Sequence, residues 1–287
     1  MTKISKDILK LVYPPRPSES HKYDFGLLLV AGGGEFYTGS PALSAMAGFR
    51  AGVDMVYVAA PKRAADIIAG FSPNIAAFPL KGERFNEKNL PCLLSLAKSA
   101  RAVAGKKTAI VLGGGMGRSR ETKKAMRDYL RESELAAVVD ADAIHAVVGD
   151  KQVVQGKNFI FTPHVYEFFV LTGRDIKELA FEERAMAVQE EAAKLGCIIV
   201  LKGARDIVSN GKETFFNETG SPYMTVGGTG DTLAGLCGAF LAMGYTPFLA
   251  AQAAVYINGK AGELASKKFG AGMLATDLID FIAEVIK

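Results

Sequence analysis

The sequence predicts an α/β fold in which a central, mostly parallel sheet carries helices on both faces. Continuous apolar runs such as 25–31, typical of buried parallel strands, alternate along the chain with helical patterns. Glycine-rich or carboxylate-bearing turns follow several of these runs. With 49% hydrophobic and 22% charged residues, the 287 residues suffice for one large core, and no repeat or linker divides them.

The elements are predicted in the following order. Strands are expected at 25–31, 55–60, 108–112, 136–140, 158–161 and 197–201, with helical patterns around 41–50, 120–131, 141–148 and 175–195. The pattern then changes to a β-hairpin, with strands at 206–209 and 212–216 around the turn Asn210-Gly211. Helices near 231–243, 246–267 and 276–286 close the chain. Residues 1–24 are predicted to be an N-terminal arm without a core of its own, and 25–287 a single domain.

Charge and cysteine content narrow the class of protein. The net charge is +4 without a Lys/Arg block, so nucleic acid is not an expected partner. Cys92, Cys197 and Cys237 lie far apart in apolar patterns, as reduced core residues of a cytoplasmic protein do. The N-terminus lacks the apolar core of a signal peptide. The apolar stretch 232–257 is broken at 244–247, which favours two buried helices over a membrane span.

The stretch 225–235 is the leading candidate for chemistry. Glycines 227, 228 and 230 directly precede a helical pattern, and Asp231 stands at the junction. The first amides of a helix lack intrahelical partners and bind anions, and glycines let a phosphate approach the backbone. Asp231 has two interpretations at this point. It either caps the helix or acts as the general base that activates a hydroxyl for attack on a phosphate.

Two further glycine clusters follow predicted strands, at 32–39 and 113–117. Neither matches the dinucleotide fingerprint, because Tyr37 and Arg118 stand where its third glycine belongs. The second cluster also lacks the Lys-Ser/Thr of a P-loop. Each loop is either a tight turn or the lining of a polar ligand site. Their recurrence at strand ends favours the ligand site.

Polar side chains end three other strands. Asp142 is interpreted as a helix cap, and Asp140 as a residue that orients a cation or a neighbouring loop. His164 is either structural or a ligand contact at the same sheet edge. Lys202-Gly203 is either turn chemistry or a contact to a polyphosphate that faces Asp231.

Taken together, these stretches resemble the ribokinase-like superfamily, and more closely the ADP-dependent NAD(P)H-hydrate dehydratases of its carbohydrate-kinase-like branch. Each motif alone is weak, but six occur in the family's order between Gly26 and Gly262. They are Gly39-Ser40-Pro41, Gly115-Met116-Gly117, Asp140-Ala141-Asp142-Ala143, Thr162-Pro163-His164 with Glu167, Lys202-Gly203-Ala204, and Gly227-Gly228-Thr229-Gly230-Asp231 with Leu233-Ala234-Gly235. The resemblance implies a three-layer α/β/α sandwich without the epimerase domain that precedes this module in many relatives.

The resemblance also implies an activity, the repair of the S-epimer of hydrated NADH or NADPH. ADP, or ATP in eukaryotic relatives, would phosphorylate the added hydroxyl, and loss of phosphate would restore the ring, giving NAD(P)H, AMP and phosphate. Asp231 would be the base, and Gly228, Thr229 and Gly230 the anion hole. The hydrate would contact Ser40, Gly115, Gly117, His164 and Asp231. The adenine nucleotide would contact Lys202, Gly203, Ala204, Arg205, Asp206, Thr229 and Gly230. Mg²⁺ and a homotetramer are expected as well.

The chain departs from the family pattern at four places. Ser40 replaces the usual Ala, Val165-Tyr166 replaces Pro-Gly, Asp206 replaces Thr, and Ser221-Pro222-Tyr223 replaces Asn-Pro-Gly. The main alternative is a small-molecule kinase of the same fold, of the hydroxyethylthiazole or hydroxymethylpyrimidine type. The other alternative is a nucleotide-binding sensor without activity. Residues 37–41 and Pro163-His164 favour the dehydratase over the kinase.

Overall fold

A ten-stranded sheet runs through the centre of the computed structural model, which describes residues 1–287. Its order is β1-β10-β9-β8-β7-β6-β5-β2-β3-β4. The strands are β1 (Thr2–Lys3), β2 (Leu27–Ala31), β3 (Met55–Pro61), β4 (Ala76–Leu80), β5 (Thr108–Leu112), β6 (Ala136–Val139), β7 (Phe159–Phe161), β8 (Ile198–Leu201), β9 (Asp206–Ser209) and β10 (Thr214–Asn217).

Strands β2 to β8 are parallel to their neighbours within that group, and only β9 runs antiparallel to both β8 and β10. The hairpin turn at Asn210-Gly211 places Gly211 at φ +85°, which a residue with a side chain rarely adopts. Strand β2 is fully buried along its length, as its continuous apolar run predicts. The predicted mostly parallel sheet is confirmed.

Eleven helices cover the two faces of the sheet. Helices α1–α3 and α9–α11 supply the 45-residue core on one face, and α4–α8 supply the 37-residue core on the other. The helices are α1 (Ile8–Val12), α2 (Ser40–Arg50), α3 (Lys62–Ala69), α4 (Leu90–Ala104), α5 (Arg120–Glu132), α6 (Asp142–Val147), α7 (Val165–Thr172), α8 (Phe181–Leu195), α9 (Thr229–Ala242), α10 (Pro247–Phe269) and α11 (Ala275–Val285). The predicted three-layer sandwich is therefore present. None of these helices is long and apolar enough to cross a membrane.

The N-terminal residues add to the main sheet and core. Strand β1 pairs in parallel with β10. Ile4, Ile8 and Val12 are buried in the core that α9 and α10 also build. The Tyr13 hydroxyl donates to the Ala51 carbonyl at 3.0 Å.

Three elements between β3 and β5 have no counterpart in the predicted order, namely α3, β4 and α4. Strand β4 lies at the sheet edge, contains Pro79, and is buried only at Leu80. An edge strand is hydrogen-bonded on one side only and can leave a face exposed, so it tolerates a proline and need not be apolar at every position. The sequence pattern that predicts a strand is therefore weak here.

The strand order switches direction around β2, since β3 and β4 extend the sheet on one side and β5 on the other. The two loops that leave β2 and β5 therefore meet. The Gly33 amide donates to the Gly114 carbonyl at 2.8 Å. A Cβ on Gly32 would lie 2.6 Å from that same oxygen. In open α/β sheets such a switch point opens the crevice that takes the ligand.

Candidate active site

The N-terminus of α9 points its free amides at this crevice. Gly228 precedes the helix at φ +101°, and a Cβ there would lie 2.6 Å from Leu43 Cδ1. The N–H groups of Gly228 and Gly230 donate no hydrogen bond to the protein. Together with the helix dipole, they form a site suited to an anion. Since Gly228 is the N-cap and Asp231 the third helical residue, the interpretation of Asp231 as the cap is wrong.

Close packing of α2 against α9 brings Asp231 to the switch point. A Cβ on Gly235 would lie 2.2 Å from the Ser44 carbonyl oxygen, so the two helices approach backbone to backbone. The Ser44 hydroxyl donates to the main-chain oxygen of Asp231 at 2.8 Å. One turn earlier, the hydroxyl of the buried Ser40 donates to Asp231 Oδ1. The aspartate is thus held at both its backbone and its side chain.

Burial raises the pKa of the Asp231 carboxyl to about 6, and the nearby charge of Asp140 adds to this rise. The hydrogen bond from Ser40 and the charge of Lys202 act in the opposite direction without cancelling it. A carboxyl with a pKa near 6 is ionised at neutral pH and is a stronger base than an exposed aspartate. The position and the basicity both suit proton abstraction.

Lys202 stands opposite Asp231, at the end of β8, inside a set of carboxylates. Its Nζ lies 3.2 Å from Asp140 Oδ1 and 3.7 Å from Glu167 Oε2, and both carboxyl groups are almost fully buried. Burial lowers the pKa of Lys202, but Asp140 and Glu167 outweigh it, so that the net shift is upward. The ammonium therefore stays protonated. Because a Cβ on Gly230 would lie 3.4 Å from Nζ, the cation borders the α9 amides.

Polar contacts inside the core hold the first turn of α9. The Thr229 hydroxyl donates to the carbonyls of Met224 and Val226, at 2.7 and 3.2 Å, and so braces the preceding loop. Asn258, buried on α10, accepts from Thr232 Oγ1 at 2.7 Å and donates to the Thr229 carbonyl at 3.3 Å. The Thr229 side chain is thus bonded within the protein, and only its main chain remains available to a ligand.

The loops after β2 and β5 also line a cleft of about 480 Å³. Gly115 lies at φ +70° against the Tyr37 main chain, and a Cβ there would lie 2.9 Å from the Tyr37 carbonyl oxygen. The amide of Gly117 donates to Asp142 Oδ2 at 2.7 Å, and Arg118 Nε donates to Asp142 Oδ1 at 2.7 Å. Asp142 thus folds this loop. It is the first residue of α6, whose cap is Ala141, so its interpretation as a cap is wrong.

His164 has a clear local role at the end of β7. It is the N-cap of α7, where Nδ1 accepts from the Glu167 amide at 3.3 Å while Glu167 Oε2 accepts from the His164 amide at 3.0 Å. Its side chain is half exposed at the same sheet edge. The structural interpretation therefore holds, and the exposed ring leaves the predicted ligand contact available.

The loop 203–206 is braced from within. Asp206 Oδ1 accepts from the Gly203 amide at 3.1 Å, and Oδ2 accepts from the Asn217 amide group at 3.1 Å. Burial raises the Asp206 pKa to about 6. The Arg205 guanidinium lies 3.6 Å from the centre of the Phe181 ring, and Ala204 is exposed. Both oxygens of the Asp206 carboxylate thus accept hydrogen bonds from within the protein, one from its own loop and one from β10.

No group of three or more His, Cys, Asp or Glu side chains in the chain is placed to hold a metal ion. The residues present thus do not form a protein-built Mg²⁺ cage. The groups that are present, a basic Asp231 carboxylate beside an anion site and a fixed cation, suit proton abstraction next to a bound anion.

Three residues of the site were missed at the sequence level. Ser44 and Asn258 lie in predicted helices, where a single polar residue is common. Nothing in the neighbouring sequence therefore indicates that they belong to the site. Gly114 lies inside a recognised glycine cluster, but its contact with Ser40 and Asp231 depends on a helix far away in the chain.

Comparison with known proteins identifies the family of the chain. The family model described as NAD(P)H-hydrate dehydratase matches residues 28–284. The chain is 42% identical over 274 residues to a bifunctional NAD(P)H-hydrate repair enzyme of Pyrobaculum aerophilum, covering 95% of this chain and 52% of that protein. It therefore spans about half the length of such relatives. It is 35% identical to the ADP-dependent (S)-NAD(P)H-hydrate dehydratase of Nitrosopumilus maritimus, covering 98% of this chain and 95% of that one.

A solved structure agrees in fold. A ribokinase-like superfamily protein from Enterococcus faecalis superposes with a TM-score of 0.84 at 26% identity, covering 99% of this chain and 95% of that one. The predicted ribokinase-like fold is confirmed. By the family match over nearly its whole length and by its full-length relatives, the chain belongs to the NAD(P)H-hydrate dehydratase family.

Proposed function

We propose that this protein is an ADP-dependent dehydratase that repairs the S-epimer of hydrated NADH and NADPH. The observation that carries the proposal is the placement of Asp231, a basic carboxylate in the first turn of α9, beside amides without protein partners. The family membership and the names of the full-length relatives supply the substrate class.

In the first step, Asp231 takes the proton from the hydroxyl on the hydrated ring. The hydroxyl oxygen bonds to the β-phosphorus of ADP, the bridging P–O bond breaks, and AMP leaves. The amides at residues 228–230 receive the moving phosphoryl group, whose charge the helix dipole stabilises. Lys202, held protonated by Asp140 and Glu167, faces the same group. In the second step, the C–O bond to phosphate breaks, and loss of a proton from the neighbouring ring carbon restores the double bond.

The two substrates are assigned to opposite sides of Asp231. The adenine nucleotide would lie over 202–206, with Thr229 and Gly230 contributing main-chain contacts. The hydrate would enter the cleft beside Ser40, Gly115, Gly117 and His164. ADP is the proposed donor, with ATP as its alternative. Mg²⁺ would arrive bound to the phosphates, because the protein offers no cage. A homotetramer in the cytoplasm remains part of the proposal.

The test is to incubate the protein with ADP and NADH hydrate and follow recovery of NADH absorbance, with parallel reactions that contain ATP, NADPH hydrate or no nucleotide. Recovery that requires ADP, with AMP and phosphate formed in equal amounts, supports the proposal. Absence of recovery with both nucleotides contradicts it. A stable phosphorylated product would instead indicate a small-molecule kinase, which uses the same base and anion site.

A further inference from the structure

The hydroxyl of Ser40 is aimed at the carboxylate of Asp231. Ser40 opens α2 and is 1% exposed, and its hydroxyl donates to Asp231 Oδ1. The second oxygen, Oδ2, has no protein donor within hydrogen-bond distance. The two oxygens are thus unequal, since one is occupied by the protein and the other is left for a ligand.

Gly114 leaves the room that this pair needs. A Cβ at this position would lie 2.1 Å from Ser40 Oγ and 3.0 Å from Asp231 Oδ1. No side chain fits there without moving the serine. The loop after β5 therefore closes over the serine–aspartate pair and limits the directions in which the carboxylate can rotate.

We propose that Ser40 is a positioning residue for Asp231, whose hydroxyl holds Oδ1, turns Oδ2 toward the substrate hydroxyl, and favours the ionised carboxylate. This proposal rests on the proposed function for the role of Asp231 as the base. A donor to a carboxylate stabilises its charged form. With Ser40 removed, Oδ1 would lose the donor that fixes it, and the carboxylate would accept a proton at higher pH.

The charged and titratable groups that face Asp231 come from three other elements. Asp140 at the end of β6 opposes its ionisation, and Lys202 after β8 favours it. Tyr37, in the loop after β2, has its own pKa raised by burial and by Asp231. None of these groups is altered when Ser40 is changed, so a shift in titration reports the lost hydroxyl.

Ser44 provides a matched control on the same helix. It is also buried and also donates to Asp231, but to the main-chain oxygen rather than the carboxylate. Ser40→Ala and Ser44→Ala thus delete the same atom one helical turn apart. Only the first deletion removes a donor from the ionisable group.

The decisive measurement is the ¹³C NMR titration of aspartate carboxyl carbons without substrate, with the Asp231 signal assigned by its loss in Asp231→Asn. We expect Ser40→Ala to raise the midpoint of Asp231 by about one pH unit, and Ser44→Ala to leave it unchanged. An unchanged or lower midpoint in Ser40→Ala overturns the proposal. So does an equal shift in both variants.

The pH profile of kcat/KM for the dehydratase reaction is the second readout. Ser40→Ala should lose more rate near pH 6 than near pH 8.5, because at the higher pH Asp231 is ionised in either protein and only the loss of its orientation remains. An equal loss at every pH would mean that the serine does not favour the ionised carboxylate, and the proposal fails. Absence of activity in the unmodified protein speaks against the proposed function, whereas the substrate-free titration still decides the role of Ser40.

Discussion

Replacing Asp231 with asparagine should lower activity and raise stability at the same time. The amide keeps the size of the side chain and an oxygen that accepts the hydrogen bond from Ser40. It cannot take a proton from the substrate. Loss of a general base costs about 10²- to 10⁴-fold in rate, so kcat should fall by that factor while ADP binding is largely kept.

The gain in stability follows from the raised pKa. The Asp231 pKa moves from an ordinary 3.8 to about 6, because burial disfavours the ionised form. The folded protein therefore binds this proton more tightly than the unfolded chain, and stability falls as pH rises from about 4 to 6. Above pH 6, ionisation of the buried Asp231 lowers the free energy of unfolding by up to about 3 kcal/mol. Partial exposure of this side chain and burial of the new amide reduce the expected gain of Asp231→Asn to about 1–2 kcal/mol.

The assay is urea unfolding of both proteins at pH 7.5 and at pH 4.5, together with initial rates at pH 7.5. Asp231→Asn should be the more stable protein at pH 7.5, and the difference should fall to about a third of that value at pH 4.5, where the aspartate is protonated in the folded protein but still mostly ionised in the unfolded chain. Asp280→Asn is the control, because that side chain is 73% exposed on α11. Wild-type kcat in Asp231→Asn would refute the assignment of the base. A gain of the same size at pH 4.5 would refute the electrostatic argument.

Three further substitutions probe the surroundings of Asp231. Gly230→Ala adds a methyl 3.4 Å from Lys202 Nζ at a position without positive φ, so the protein should fold normally. Titration calorimetry should record about tenfold weaker ADP binding, because the methyl crowds the anion site. Unchanged binding would contradict the anion site. Lys202→Met leaves Asp140 and Glu167 without their cation, which should cost about 3 kcal/mol in urea unfolding at neutral pH, whereas Lys202→Arg should retain most of that stability. Asn258→Ala removes both hydrogen bonds of Asn258 to the first turn of α9. Thermal unfolding should show that the free energy of unfolding falls by about 1–3 kcal/mol. A smaller loss would mean that the first turn is stable without Asn258.

The sheet was predictable from the sequence because each of its central strands is buried on both faces. A strand of that kind must be apolar at every position, so the run itself carries the signal. Helix α3 and edge strand β4 were not predicted, because short elements that are partly exposed do not require an unbroken run of apolar residues. The hairpin after Leu201 was predicted from Asn210-Gly211, a pair typical of two-residue turns. The hairpin is present, but Thr214 pairs with Ser209, so the connection has four residues and the second strand begins at 214 instead of 212.

The site was predictable as a set of loops but not as a set of contacts. Parallel strands end at one sheet edge, so 32–39, 113–117, 140–142, 162–164 and 202–206 were expected to lie together. Their roles in binding and catalysis stay predictions. The structure overturns the cap interpretation of Asp142 and the cap alternative for Asp231, since both residues lie inside their helices. A helix boundary that shifts by one or two residues is enough to cause that error.

By itself, the sequence determined the fold class and the family and predicted the stretch 225–235 as the place of the base, because these depend on local patterns and on their order along the chain. Only the tertiary structure decided that Ser40, Gly114 and Asp231 meet, although Ser40 and Asp231 are 191 residues apart in sequence. It also decided that Lys202 is held between Asp140 and Glu167. The physical reason is that burial and proximity set hydrogen bonding and proton affinity, and both arise only when α2, α9 and the strand ends pack together.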